Sequence, residues 1–163
     1  MMSVLPAHPV YRLAPSFGTG ARMAFGPEGK LGSGGRVRKA RVLVVEDDYF
    51  VSMDMETILN EVGCDVIGIT ATAEEAIELA ARERPDLVLM DVRLAGRLDG
   101  IEAATDIHSR LGIRSLFVTA HSDPDTRQRG ERANPVGWAL KPFSSHELKA
   151  SVRSALEALR VEE

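Results

Sequence analysis

At 163 residues, 44% of them hydrophobic and 27% charged, the chain has room for one ordinary soluble domain plus an extension. No run approaches the roughly 18 apolar residues of a membrane span, and the N-terminus lacks the continuous apolar segment of a secretory leader, so a cytoplasmic location without membrane attachment is expected. The net charge of −4 hides an asymmetry, seven Lys/Arg against one acidic residue before Val42 and thirteen against 23 from there on, so direct DNA binding by the acidic part is not expected.

Residues 1–40 hold seven of the fourteen glycines and four of the eight prolines. "GPEGKLGSGGRVRK" has no hydrophobic period and too little apolar surface to offset chain ordering, so 1–40 reads as a flexible extension with scattered, solvated basic residues. Met23 is a candidate alternative start. From Arg41 the pattern changes. "RVLVV" is an apolar strand, and "YFVSMDMETILNEVG" is a helix with Val51, Met55, Ile58, Leu59 and Val62 on one face.

The single cysteine, Cys64, lies between that helix and the strand "DVIGI", where it reads as a small buried filler; an internal disulfide is excluded. Thr72 and Glu75 have the spacing of a capping box opening a helix to about Glu83. "DLVLM" is the third strand, followed by a helix from about Asp99 to Leu111. Then come strand "SLFVT", a polar helix near Asp123 to Ala133, and strand "GWAL". Ser144 and Glu147 form a second capping box, opening a helix with Leu148, Val152, Ala155, Leu156 and Leu159 inward. Five strands alternating with five helices specify an α/β domain with a parallel sheet. His8, His108, His121 and His146 show no paired ligand spacing.

Ligands of such sheets bind beyond the carboxyl ends of the strands. The first strand ends in Glu46, Asp47 and Asp48, the third in Asp91, the fourth in Thr119 and Ala120, the fifth in Lys141. Carboxylates crowded at one rim repel unless a cation intervenes, and a hard divalent ion with oxygen ligands, Mg²⁺ above all, suits them. Lys141 and Thr119 could hold phosphoryl oxygens, which leaves Asp91 as a nucleophile toward phosphorus. Each residue alone has an ordinary role, Asp47 or Asp48 as a helix cap among them. Their joint placement at four strand ends carries the inference.

"VLVVEDD", "LVLMDVRLAGRLDG", "FVTA" and "WALKPF" resemble, in order and spacing, the receiver domain of two-component response regulators. The resemblance covers about Arg41 to Leu159, which sets the receiver at 41–161, and implies a doubly wound (βα)₅ fold of strand order 2-1-3-4-5. With nothing folded after Glu163, a stand-alone receiver without an output domain is expected. It implies Asp91 as phosphoacceptor and Mg²⁺ held by Asp47, by Glu46 through water, by Asp91 and by the Arg93 carbonyl. Thr119 resembles the switch hydroxyl, aided by the Ala120 amide, and Lys141 the bridging lysine, with a cis bond to Pro142. Implied partners are a sensor histidine kinase or a histidine phosphotransfer protein and an unidentified downstream protein. A homodimer would use the fourth helix, fifth strand and last helix.

Three features depart from the family's commonest form. "DVRLAGRLDG" is one residue longer and lacks the usual proline, the aromatic switch position falls on Trp138, and Arg93 and His121 flank the acceptor where hydrolysis is tuned. Two bulky, basic groups there imply slow autodephosphorylation of a signalling domain that is not otherwise an enzyme. Competing readings fit less well. An aspartyl phosphohydrolase wants Asp-x-Asp on the first strand, and a flavodoxin-like cofactor binder wants a phosphate loop where three acids stand. A receiver-like docking domain working without phosphorylation would not need the full set of site residues.

Overall fold

The computed structural model describes residues 38–161, so the expected flexible extension lies almost wholly outside the described residues. The elements are β1 (Arg41–Val45), α1 (Tyr49–Val62), β2 (Asp65–Thr70), α2 (Ala73–Glu83), β3 (Leu87–Met90), α3 (Gly100–Leu111), β4 (Ser115–Thr119), α4 (Pro124–Gly130), β5 (Gly137–Leu140) and α5 (Ser145–Val161). All four strand pairings are parallel, in the order β2-β1-β3-β4-β5, which is the doubly wound arrangement expected.

Period-two alternation along the buried strands divides the core in two. Leu43, Val45, Val88, Met90 and Phe117 face α2 and α3, whereas Val42, Val44, Leu87, Leu89, Leu116 and Val118 face α1 and α5. Both faces of β1, β3 and β4 are covered, which is why these strands read as unbroken apolar runs. Cys64, at the junction of α1 and β2, is buried in the second cluster as a filler. The inward faces of α1 and α5 are those expected, with Ser52 an additional buried residue of α1.

Helix ends follow their capping chemistry with two differences. At Thr72 only half of the box forms: its hydroxyl accepts from the Glu75 N–H at 3.3 Å. The complete box at α3 joins Asp99 and Glu102, and the expected one at α5 joins Ser144 and Glu147. The helix expected over 123–133 is shorter. It ends at Gly130 and tightens into a 3-10 turn at Glu131–Ala133, closed by Asn134 at φ 44°. Arg38 and Arg41 brace the opposite end of the sheet, both donating to Asp86.

Candidate functional site

The backbone ladder fixes where β1 and β3 deliver their acids. The Glu46 N–H donates to the Thr70 carbonyl at 2.9 Å and the Asp91 N–H to the Val45 carbonyl at 3.0 Å, so both residues are still held by the sheet. Their side chains therefore start from rigid supports. Glu46 is only 3% exposed and Asp91 6%, whereas Asp47 is exposed. Carboxylate oxygens of Glu46, Asp47 and Asp91 lie within 4.8 Å of one another.

Lys141 follows β5, whose end is tied to β4 by the bond from the Lys141 N–H to the Thr119 carbonyl at 3.0 Å. Its ammonium donates to Asp91 Oδ2 at 2.9 Å and to Glu46 Oε2. Burial opposes the charge on Lys141, but these two hydrogen bonds outweigh it and raise its pKa. Burial also pushes the Glu46 carboxyl up, against the bonds it accepts from Lys141 and from the Asp48 N–H at 3.0 Å. The Lys141–Pro142 peptide is cis, as expected.

Thr119 is wholly buried at the end of β4, and its hydroxyl accepts from the His121 N–H at 3.1 Å. Ala120 lies between them and is exposed. The Arg93 N–H donates to Asp91 Oδ1 over 3.4 Å, with the Arg93 side chain in solvent. Trp138 is not among the carboxylates. It lies three residues back along β5, its ring 4.4 Å from that of Phe117 between centroids.

Of the two candidate caps, Asp48 is the one used: its Oδ1 accepts from the Phe50 and Val51 N–H groups at 2.9 and 3.1 Å. That leaves Asp47 free to join the cluster. Two residues that matter were not singled out from the sequence. A Cβ on Gly100 would stand 1.8 Å from the Asp91 carbonyl oxygen, so the start of α3 packs directly on the Asp91 peptide. Asp99 caps α3 and pairs with Arg129 of α4. The Asp-Gly pair ahead of an amphipathic helix was the available signal.

Comparisons with known proteins bear on the family and the fold. The family model for the response regulator receiver domain matches residues 42–153. The transcriptional regulatory protein PdtaR of Mycobacterium tuberculosis is 37% identical over 120 residues, 74% of this chain and 58% of that protein. The phyllosphere-induced regulator PhyR of Methylorubrum extorquens is 33% identical over 116 residues, 71% of this chain and 43% of its own length. The chain thus spans about half the length of these relatives. Among solved structures, the signal receiver domain of a modulated diguanylate cyclase from Desulfovibrio desulfuricans superimposes with a TM-score of 0.71 at 34% identity, covering 77% of this chain and all of that one. A match of this extent, on a sheet of this strand order, places the chain in the response regulator receiver domain family.

Proposed function

We propose that this receiver accepts a phosphoryl group on the Asp91 carboxylate from the phosphohistidine of a sensor histidine kinase or a histidine phosphotransfer protein. The observation that carries the reading is the setting of Asp91: a buried carboxylate at the end of a central strand, bonded to an ammonium and sharing a cluster with two further acids. Three hard oxygen donors without a thiolate or imidazole suit Mg²⁺, and the exposed Asp47 leaves the cluster open to solvent. Glu46, Asp47 and Asp91 would hold the ion, with the Arg93 carbonyl completing the protein's share. Bound there, Mg²⁺ offsets charge on the transferring group.

The chain's own residues do the rest. An Asp91 oxygen forms the new bond to phosphorus while the phosphorus–nitrogen bond to the donor imidazole breaks, and that nitrogen takes up a proton. Lys141, already bonded to Asp91, stays beside the incoming phosphoryl oxygens. The Thr119 hydroxyl and the Ala120 amide turn toward them, drawing on the 119–121 segment and changing the face built by α4, β5 and α5. That face is where a downstream protein or a second copy docks. The phosphorylated aspartate is later hydrolysed by water, the one reaction this signalling domain carries out on itself. We assign the receiver to 41–161 and treat 1–40 as an extension, in a cytoplasmic protein.

Two measurements test this. Addition of Mg²⁺ and then acetyl phosphate is expected to give a single phosphoryl adduct by intact mass, absent from Asp91→Ala. No adduct from acetyl phosphate or from a panel of phosphorylated histidine kinases would leave a docking domain that works without phosphorylation. Arg93 and His121 are tied through their backbone N–H groups to Asp91 and Thr119, and their side chains would screen the attacking water. The Arg93→Ala and His121→Ala variants are each expected to lose the adduct several-fold faster, about 1 kcal/mol of barrier; unchanged decay removes their tuning role.

A further inference from the structure

The loop from Asp91 to α3 is fastened at points that phosphoryl acceptance does not itself use. Ala95 forms a parallel bridge with Thr72, and Leu94 and Leu98 pack half-buried on the core beneath α2 and α3. At the far end Asp99 has two tasks divided between its two oxygens. Oδ1 accepts from the Glu102 N–H at 2.9 Å and caps α3, while Oδ2 pairs with the Arg129 guanidinium on α4. The next residue, Gly100, donates its N–H to the Val92 carbonyl at 2.8 Å and lies against the Asp91 carbonyl so closely that no Cβ fits. Any displacement of Asp99 is therefore passed within one residue to the peptide that carries the acceptor.

The same short helix holds Trp138. A Cβ on Gly130 would come within 2.5 Å of Trp138 Cζ2, so the indole occupies space that only glycine leaves. Arg127 lies over the ring, 5.1 Å from its centroid. Within four residues, α4 thus grips the acceptor loop through Arg129 and the indole through Arg127 and Gly130.

We infer that Asp99 and Arg129 are positioning residues for the phosphoryl-transfer site, their ion pair setting the 91–99 loop against α4 and so coupling the Asp91 backbone to Trp138. This rests on the reading of Asp91 as the acceptor. A purely stabilising purpose suits the pair poorly. The Arg129 side chain is 53% exposed and that of Asp99 29%, a setting in which ion pairs add little to stability, and the cap on α3 needs only Oδ1. What the pair does specify is geometry between two elements joined at no nearer point by an ion pair among the described residues.

Asp99→Asn keeps the cap and removes the charge, so it separates the two tasks. The full chain, Asp99→Asn, Arg129→Gln, the double variant, Arg129→Lys and a control at the exposed Arg153, Arg153→Gln, are titrated with Mg²⁺ and then acetyl phosphate. Trp138 emission, adduct mass and thermal midpoint are read in each. The two single variants are expected to raise the Mg²⁺ midpoint about two- to fivefold and to shrink the Trp138 response, at thermal midpoints near that of the parent. The double variant is expected to be no worse than either single one, Arg129→Lys to recover part of the response, and the control to match the parent. Single variants that titrate like the parent, or effects that add in the double, overturn the inference while leaving phosphoryl acceptance intact. Should Arg129→Gln fail to fold, Asp99→Asn alone decides between these outcomes. A parent chain that forms no adduct overturns the acceptor reading and this inference with it.

Discussion

At the residue scale the site turns on Lys141. Its ammonium stands between two buried carboxylates, and each partner would be costly to leave alone at low exposure. Removing the cation while keeping the bulk, as in Lys141→Met, leaves Glu46 and Asp91 facing each other without a counter-charge. Without Mg²⁺ this variant is expected to lose about 3 kcal/mol of stability at neutral pH. Mg²⁺ should restore a larger part of the loss than it adds to the parent, which urea unfolding with and without the ion measures. Equal Mg²⁺ effects on the two proteins would mean that the ion does not enter this cluster. Glu46, Asp91, Thr119 and Lys141 were legible because a parallel sheet brings strand ends together whatever the loops do. Residue types alone left Asp47 and Asp48 equivalent, since both have cap chemistry; the family resemblance chose Asp47, which does join the cluster, while Asp48 accepts from Phe50 and Val51.

At the scale of elements, α4 and the 91–99 loop are where reading the chain alone falls short. Strands β1, β3 and β4 were visible as apolar runs because both faces are buried. By contrast α4 carries little apolar periodicity of its own, and its last residue, Gly130, lies against Trp138 of β5. The pairing of Arg129 with Asp99 spans 30 residues of sequence, beyond any local pattern. The Gly130 slot makes a direct prediction. Gly130→Ala would put a methyl group 2.5 Å from the Trp138 ring, so either the indole leaves the slot or the helix shifts. The variant is expected to be destabilised by about 1–3 kcal/mol, with Trp138 emission moved to longer wavelength as the ring meets water. An unchanged spectrum would show that α4 yields without disturbing the ring.

For the molecule as a whole, the two ends of the sheet hold their carboxylates differently. The carboxyl end gathers the carboxylates of Glu46, Asp47 and Asp91, while the amino end is closed by Asp86, which takes two bonds from the Arg38 guanidinium at 2.9 and 2.8 Å and one from the Arg41 N–H at 2.7 Å. Burial pushes the Asp86 carboxyl up, but the arginine bonds outweigh it and hold it below the usual aspartate range. A depressed folded pKa means that its contribution is full above the ordinary value of about 3.9 and is lost as pH falls through the lower folded value. Asp86→Asn is thus expected to cost about 1 kcal/mol at pH 7, allowing for the exposure of Arg38, and progressively less in acid. Urea midpoints of the two proteins across that range should converge; a gap that stays constant would assign the effect to packing.

Cys64 gives the fold a built-in clock. It is the only thiol in the chain, it is buried where α1 meets β2, and burial raises its pKa, so little of it is thiolate while the fold is closed. A small alkylating reagent therefore reaches the sulfur when that junction opens, and the labelling rate times the opening. The unaltered protein, compared with and without Mg²⁺ and phosphoryl donor, would in this way report whether events at one end of the sheet hold the other end shut.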